Sequence, residues 1–192
     1  MSIASVQADH YSIPLPTVLT DSTHGAMSSF ELVAVRLRSG DGAEGVGYTY
    51  TVGAGGAAIT ALVNRDLRPV LLGADAGRIE WLWQRMWWTL HYGGRGGLAA
   101  MAISAVDIAL WDMKARRCAT PLWRLLGGHD PRVPCYAGGI DLDLPLDALL
   151  RQTDDNLARG FRAIKMKVGR PRLGEDVERV RAMREHLGAD FP

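Results

Sequence analysis

The sequence predicts an α+β fold in its N-terminal part and parallel βα units in its C-terminal part. Three strand-like segments separated by short connections open the chain, and three helical segments come after them. After about residue 130, strand-like and helical segments alternate, which is the order of parallel strands joined by crossover helices. At 192 residues the chain is long enough for one sizeable domain, or for a small domain plus part of another.

The N-terminal strands form a predicted antiparallel meander. Residues 3–15 and 29–39 have the composition of strands, and a Ser-Gly-Asp-Gly turn leads into a third strand over 44–50. A polar, glycine-containing segment, 17–28, separates the first two strands, and we expect it to be a loop. It holds His24, a residue type that by itself is found on the surface more often than in a binding site.

Helical periodicity begins near Ala57 and predicts three helices. The first ends near Pro69, the second spans 78–92, and the third spans 98–118. The Gly-Gly-Arg-Gly-Gly break before the third helix lacks the spacing of a dinucleotide-binding loop and does not follow a strand. The apolar residues expected to pack in the core are Trp81, Met86, Trp88, Ala102, Ala105, Ile108, Ala109 and Trp111.

Three residues of types that can carry chemistry are expected to have structural roles instead. Asp107 lies among Ala, Val and Ile, where a carboxylate is rarely left unpaired, so we expect an arginine or a backbone N–H partner before catalysis. Cys118 and Cys135 show neither CxxC nor Cys/His spacing. No disulfide framework or zinc site is therefore indicated, and we expect both cysteines to be packing residues.

The composition argues against several classes of function. Hydrophobic residues make up 47% of the chain and charged residues 22%, as in an ordinary soluble globular protein. The net charge of +1 gives no electrostatic footprint for nucleic acid or for an anionic membrane. The N-terminus lacks a basic segment followed by a long apolar run, and no window approaches a membrane span. We therefore expect a cytoplasmic protein without a secretory signal.

The C-terminal part contains two strand–helix pairs. Strands are predicted over 133–137 and 163–168, and amphipathic helices over 146–159 and 176–187. Parallel sheets are found almost only when both of their faces are covered, and two strands with two helices cannot achieve this. We therefore expect part of the sheet to be missing from these 192 residues.

The second of these strands carries the candidate chemistry. Side chains alternate along a strand, so Lys165 and Lys167 point to one face while the apolar residues around them point to the other. The chain has 22 lysines and arginines, of which only three are lysines. Arginine stays protonated, whereas a crowded or desolvated lysine can lose its proton and act as a base. The residues alone leave two interpretations open, a pair for proton transfer and a half-buried strand with two solvated lysines.

Three motifs stand in register along the chain. They are AISAVDIALWDMKA at residues 102–115, PLWRLLGG at 121–128 and IKMKVG at 164–169. Together they resemble the mandelate racemase/muconate lactonizing enzyme branch of the enolase superfamily, over the whole chain in order. The closest resemblance is to acid-sugar dehydratases acting on six-carbon diacids, with mandelate racemase-like enzymes left open. The resemblance implies Mg²⁺-dependent abstraction of the proton α to a carboxylate, leading to hexarate or aldonate dehydration or to racemisation.

The resemblance also implies an architecture. Residues 1–130 correspond to an α+β capping domain, a three-stranded antiparallel meander plus helices. Residues 131–192 correspond to the first two βα units of a truncated (β/α) TIM-type barrel that begins near Val133. Active sites of such barrels lie at the C-terminal ends of the strands, which places both lysines inside the barrel.

The family pattern assigns roles to four residues of this sequence. Lys167 is expected to remove the proton α to the substrate carboxylate, and Lys165 is expected to neutralise that carboxylate. His24 and Tyr50 fall in the two capping-domain loops that close over the substrate in relatives. Both are therefore candidate substrate-binding residues.

Magnesium is the implied cofactor, since superfamily sites use one or two Mg²⁺ ions. Its ligands are expected on barrel strands that are absent from this chain. Asp141 and Asp143 come after the first barrel strand, but two neighbouring loop carboxylates are expected to be solvated and not to bind metal. The implied partner is a small-molecule carboxylate substrate. We expect a homo-oligomer, with neither nucleic acid nor a membrane as a partner.

Two hypotheses of different classes are open. The first is that these residues belong to a Mg²⁺-dependent dehydratase or racemase, and that the 192-residue chain alone is inactive. The alternative is a truncated, non-catalytic relative that associates with itself or with a barrel-containing chain. A half barrel supports this alternative because it leaves an unpaired strand edge and bare apolar helix faces.

Overall fold

The computed structural model describes residues 1–94 and 96–191. The chain divides into two compact units. The first unit contains residues 1–14 and 29–131, and the second contains residues 15–28 and the chain from residue 132 onward. Residues 163–168, which carry Lys165 and Lys167, are called the lysine strand below. The tip of the first hairpin belongs to the same unit as the lysine strand.

The first three strands form one sheet in the order β1-β2-β3. They span Ile3–Asp21 (β1), Gly25–Ser39 (β2) and Glu44–Thr51 (β3), and β2 pairs antiparallel with β3. The predicted meander is confirmed. The predicted loop over 17–28 is wrong, because β1 and β2 continue through most of it and leave only a short turn. The paired arms of a hairpin satisfy each other's backbone groups, whatever the polarity of their side chains.

The first predicted helix consists of three consecutive segments. They are α1 (Gly56–Ala61), a π-helical turn (Leu62–Leu67) and α2 (Arg68–Leu71). Pro69 lies at the start of α2 and does not end the helix. Proline is tolerated there because the first residues of a helical segment do not need their N–H groups.

The remaining helices of the first unit agree with prediction to within a few residues. They are α3 (Ile79–Leu90), followed by a 3₁₀ turn (His91–Gly93), and α4 (Leu98–Arg117). A further short helix, α5 (Leu122–Leu125), comes after α4. None of the helices in residues 1–94 and 96–191 has both the length and the apolarity needed to cross a membrane.

Helix α4 packs directly on strand β3 through glycine. A Cβ atom on Gly47 would lie 2.0 Å from the carbonyl oxygen of Ala105, and one on Gly45 would lie 2.0 Å from that of Ala109. The two backbones can approach this closely only because neither glycine carries a side chain. The surrounding core includes Val33, Val35, Leu37, Ile59, Leu82, Met86, Leu110 and Met113.

Several predicted core residues are exposed. Trp81 and Trp88 are 39% and 58% exposed, and Ile108 is also exposed. The inner face of α3 is instead formed by residues at helical spacing, Ile79, Leu82, Met86 and Leu90. Met86 is buried as predicted, and Trp111 is partly buried against the core. The prediction for Trp81, Trp88 and Ile108 was wrong because it considered only their apolar character and not their position around the helix.

The second unit contains the two predicted βα pairs. Strand β4 (Ala137–Gly138) is followed by α6 (Leu146–Ala158), and β5 (Ile164–Lys165) by α7 (Leu173–Leu187). Strands β4 and β5 pair in parallel, which confirms the predicted order. Both strands are shorter than predicted, because the hydrogen-bonded ladder covers only two residues of each.

Both cysteines are free and exposed, so the expectation that they pack in the interior was wrong. Cys118 lies at the C-cap of α4, and Cys135 lies in the extended segment that precedes β4. Neither position faces a core.

Candidate active site

The lysine strand has one apolar face and one basic face. Ile164 and Met166 lie beside Val180, Met183 and Leu187 of α7, and together they line a small cavity. Side chains alternate along a strand, so Lys165 lies on the opposite side, and we expect Lys167 to lie there as well. The amine of Lys165 extends past β4, where its Nζ lies 5.6 Å from the centre of the Tyr136 ring.

Asp141 is buried beside the lysine strand. It is only 3% exposed, and its Oδ1 accepts the backbone N–H of Lys167 at 2.9 Å. The expectation that Asp141 is a solvated loop carboxylate was therefore wrong. Asp143 is exposed, as expected. A polar residue after a strand looks like a surface residue in sequence, but here the backbone of the neighbouring strand supplies a hydrogen-bond donor.

Two arginines hold the loop after β4. Arg170 donates to the carbonyl oxygen of Leu142 at 2.7 Å, and Arg179 donates to that of Asp141 at 3.0 Å. Arg179 is 4% exposed, and desolvation, followed by the charge of Arg170, lowers its pKa. Asp176 accepts the N–H groups of Gly169 and Arg170 at 2.8 and 3.1 Å. The loop after β4 and the end of the lysine strand are thus bound to one polar cluster.

Sequence reasoning missed this cluster because it treated α7 simply as an amphipathic helix. A signal was present in the spacing of Asp176 and Arg179. Residues three apart lie on one helix face, and this face carries opposite charges among apolar neighbours. Buried charges of this kind need partners, which pointed to a structured loop nearby.

The tip of the first hairpin joins the same part of the second unit. The N–H of Thr20 donates to Ile140 at 3.1 Å, and the N–H of Leu142 donates to Thr20 at 3.1 Å. The Thr20 hydroxyl accepts the N–H of Asp143 at 2.8 Å. At the turn, Ser22 lies against Gly169. A Cβ atom added to Gly169 would lie 2.7 Å from the Cβ of Ser22. The hairpin tip therefore lies at the end of the lysine strand.

His24 lies in this turn and is held by Asp21. Its Nδ1 lies 2.9 Å from Asp21 Oδ2, and its backbone N–H donates to Asp21 Oδ1 at 2.6 Å. The hydrogen bond from the His24 backbone N–H, then the one from its ring, lowers the pKa of Asp21 to about 2. The His24 side chain remains 55% exposed. His24 lies in the same compact unit as the lysine strand.

Tyr50 belongs to the first unit and lies within β3, paired with Leu32, so the expectation that it falls in a loop was wrong. It is 57% exposed, and its ring meets Phe30 edge-on at 5.8 Å. The segment after β3 is anchored by Glu31, whose carboxylate accepts the N–H of Gly56 at 2.7 Å and the hydroxyl of Thr51 at 3.0 Å. Those two bonds lower the pKa of Glu31. Tyr50 thus comes directly before the connection that Glu31 anchors.

Asp107 does not have the partner that was expected. Within residues 1–94 and 96–191, no arginine or backbone N–H contacts its carboxylate. Desolvation raises its pKa, as for any half-buried carboxyl group without a compensating charge. The expectation failed because the small residues of α4 bury this side chain only in part.

The described residues do not form a magnesium site. No three His, Cys, Asp or Glu side chains of residues 1–94 and 96–191 are grouped so that they could hold a metal ion. Asp141 already accepts a backbone N–H, and Asp143 is exposed. Mg²⁺ needs several oxygen ligands in near-octahedral geometry, which these two carboxylates do not supply.

Comparison with known families identifies the class to which this fold and site belong. The mandelate racemase/muconate lactonizing enzyme N-terminal domain matches residues 4–127, and the enolase C-terminal domain-like family matches residues 148–192. The chain belongs to the mandelate racemase/muconate lactonizing enzyme family of the enolase superfamily. This confirms the resemblance and the predicted fold class, a capping domain followed by the first two βα units of a TIM-type barrel.

Two curated relatives of this chain are enzymes of sugar acids. The chain is 66% identical to a 3,6-anhydro-α-L-galactonate cycloisomerase of Streptomyces coelicolor, covering 99% of this chain and 53% of the relative. It is 40% identical to an L-talarate/galactarate dehydratase of Salmonella typhimurium, covering 94% of this chain and 46% of the relative. The chain therefore spans about half the length of the curated relatives it matches.

Solved structures show the same similarity. A racemase from Streptomyces coelicolor A3(2) with bound magnesium matches with a TM-score of 0.97 and 66% identity, over 99% of this chain and 53% of that one. The Salmonella L-talarate/galactarate dehydratase, solved with Mg and L-lyxarohydroxamate, matches with a TM-score of 0.93 and 38% identity. That match covers all of this chain and 50% of the dehydratase.

Proposed function

We propose that this chain is the capping domain and first two βα units of an enzyme that removes the proton α to the carboxylate of a sugar acid, with Mg²⁺ as its cofactor. The observation that carries the proposal is the basic face of β5 and its continuation, where Lys165 and Lys167 lie opposite the apolar face packed on α7. The relatives support it, because their substrates carry the required carboxylate.

The two lysines have different roles in this proposal. Lys167 lies further along the strand, toward the end at which barrel enzymes build their sites, and acts as the base. Lys165 neutralises the substrate carboxylate. His24, on the hairpin tip of the same unit, contacts the substrate. Tyr50, exposed on β3, is proposed as a second substrate-binding residue.

Magnesium is supported by the relatives and not by the residues of this chain. The Streptomyces and Salmonella structures contain it, whereas residues 1–94 and 96–191 offer no cage for it. When bound, the ion stabilises negative charge that develops on the substrate carboxylate. We place its ligands on barrel strands beyond the two described here.

The overall reaction is proposed to be an isomerisation or an elimination on a six-carbon sugar acid. Cycloisomerisation, dehydration and racemisation can share abstraction of the α-proton and differ in the fate of the resulting anion. The 66% identity to the Streptomyces enzyme favours a 3,6-anhydro sugar acid, and the Salmonella enzyme favours an aldarate. We further propose a cytoplasmic homo-oligomer.

The alternative is a non-catalytic relative that works by association with itself or with a barrel-containing chain. It is favoured by the apolar side chains that the second unit exposes, among them Val133, Val168, Leu173 and Val177. The intact mass of the natural polypeptide separates the two functions. A mass near 20.9 kDa favours the alternative, and a mass about twice as large favours the enzyme.

Exchange of the substrate α-hydrogen with solvent deuterium tests the proposed function. The natural polypeptide is incubated in D₂O with 3,6-anhydro-L-galactonate, galactarate and L-talarate, with Mg²⁺ or with EDTA. We expect exchange or turnover of at least one sugar acid, dependent on Mg²⁺, and none from the 192-residue chain alone. A complete-barrel protein that exchanges none of the three would overturn the proposal for this substrate class.

A further inference from the structure

We propose that Asp141 is a positioning residue for Lys167, holding the backbone of the lysine strand beyond the point where strand pairing ends. The proposal rests on the proposed function, in which Lys167 is the base. It adds a residue that does not touch the substrate but determines where the base is placed.

The hydrogen-bond pattern at the end of the sheet supports this role. The β4–β5 ladder pairs Gly138 with Lys165, and the N–H of Gly139 donates to the Lys165 carbonyl oxygen at 2.8 Å. Two residues further along, the N–H of Lys167 donates to the Asp141 carboxylate at 2.9 Å. A side-chain oxygen thus replaces the carbonyl that a longer β4 would have supplied.

The chain leaves space for this carboxylate. A Cβ atom on Gly139 would lie 1.8 Å from Asp141 Oδ2 and 2.7 Å from its Cγ. Any other residue at 139 would collide with the side chain of Asp141 and push it away from Lys167. The glycine therefore allows the carboxylate to fold back across the strand end.

The backbone of Asp141 is itself held in place. Arg179 donates to the Asp141 carbonyl oxygen at 3.0 Å, and the flanking residues 140 and 142 bond to Thr20 at 3.1 Å each. A carboxylate on such a restrained backbone can fix the peptide that it binds. A misplacement of about 1 Å in a reacting group can cost about 10²-fold in rate.

The first experiment measures the contact itself. Labelling the natural polypeptide with [¹⁵N]lysine selects its lysine amides, and the signal that is lost in Lys167→Arg identifies the amide of Lys167. We expect the Lys167 amide to be protected from hydrogen exchange in the wild-type chain and to lose about tenfold or more of this protection in Asp141→Ala. Lys165, paired with Gly138 in the β4–β5 ladder, reports whether the second unit is intact, and Lys114, inside α4, reports on the first unit. A Lys167 amide equally protected in both proteins would overturn the proposal.

Two further variants separate the hydrogen bond from the charge. Asp141→Asn keeps an acceptor oxygen and is expected to retain the protection of the Lys167 amide. Gly139→Ala keeps Asp141 but displaces its carboxylate, so it is expected to behave like Asp141→Ala. If Asn behaves like Ala, charge and not the hydrogen bond is responsible, and the proposal is wrong.

The second experiment measures catalysis in the natural polypeptide. Asp141→Ala is expected to lower kcat for α-hydrogen exchange by about 10²-fold with a smaller change in KM, and Asp141→Asn to restore most of kcat. Asp143→Ala removes the exposed neighbouring carboxylate and is the matched control. If Asp141→Ala leaves kcat unchanged, the positioning role of Asp141 is wrong, but the proposed function of the enzyme still stands. A wild-type protein without exchange refutes the proposed function, whatever the amide signals show.

Discussion

The backbone N–H of Leu142 donates to the carbonyl oxygen of Thr20 at 3.1 Å, which joins the first hairpin to the loop after β4. These positions are far apart in sequence but lie in one compact unit. The contact brings His24 and the lysine strand into the same unit. Thr20 is the residue through which the contact is made, since its N–H, carbonyl and hydroxyl groups all bond to residues 140–143.

Thr20→Val tests this contact. Valine keeps the shape of threonine but cannot accept the N–H of Asp143, which would then lack its partner. We expect a loss of roughly 1 kcal/mol in the stability of the second unit, measured by urea denaturation. Thr17→Val, at an exposed position of the same strand, is the control and should change the stability little. Equal effects of the two substitutions would show that the hydroxyl contributes nothing.

The hydrogen bonds between Asp21 and His24 in the hairpin turn predict a pH dependence. Hydrogen bonds from the backbone N–H and the ring of His24 lower the pKa of Asp21 from its ordinary value of 3.8 to about 2. A carboxyl group with a depressed folded-state pKa stabilises the fold fully above its unfolded value, and this contribution is lost as pH falls through about 2. The turn should therefore remain ordered near pH 4 and loosen between pH 4 and 2.

The carboxyl ¹³C signal of Asp21 measures this directly. We expect a titration midpoint near 2 in the wild type and a higher midpoint in His24→Ala. The midpoint in the variant should still lie below the ordinary value, because the backbone N–H bond is the larger cause. A wild-type midpoint near 3.8 would show that the turn is not formed as described.

The lysine pair predicts an asymmetry between two conservative substitutions. Lys167→Arg keeps the positive charge but removes the ability to act as a neutral base, so it should cost roughly 10²- to 10⁴-fold in kcat. Lys165→Arg keeps a cation for the substrate carboxylate and should act chiefly on KM. Exchange of the α-hydrogen in D₂O is measured for both variants. If both variants lose the same fraction of the exchange rate, or if Lys167→Arg exchanges at the wild-type rate, a residue other than Lys167 is the base.

Glycine at position 47 is required by the packing of β3 on α4. A Cβ there would lie 2.0 Å from the carbonyl oxygen of Ala105 and 2.6 Å from the nitrogen of Ala109. Both are backbone atoms of one helix and cannot move independently, so Gly47→Ala should destabilise the first unit by roughly 3 kcal/mol. Gly93→Ala is the control, because a Cβ atom added to Gly93 would meet no neighbouring group within 4 Å. Thermal or urea unfolding of both variants checks the difference.

The two sides of α3 should respond differently to truncation. Met86 is fully buried, so Met86→Ala should cost about 2–5 kcal/mol through the lost contacts and the cavity. Trp88 is larger but mostly exposed, so Trp88→Ala should cost less than about 1 kcal/mol. Urea denaturation measures both. A larger loss for the tryptophan would mean that another surface covers this face.

Local patterns in the sequence determined most of the secondary structure. The meander, the long helix α4 and the parallel order of β4 and β5 were predicted because strand alternation, helical spacing and glycine turns act over a few neighbouring residues. The apolar face of the lysine strand, with Ile164 and Met166 beside α7, was predicted for the same reason. The family could be identified because its three motifs are contiguous runs.

Only the tertiary structure decided which residues those patterns bury. Asp141 comes after a strand as an ordinary polar residue, and its burial depends on the N–H of Lys167 and on space above Gly139. Trp81 and Trp88 have the composition of core residues, yet the register of α3 turns them outward. The hairpin extends through an apparent loop because its two arms pair with each other. For Asp141 the deciding contact, with the N–H of Lys167, lies outside the local sequence window, so no local pattern could reveal it. The outward position of the two tryptophans, in contrast, follows from the helical spacing of Ile79, Leu82, Met86 and Leu90.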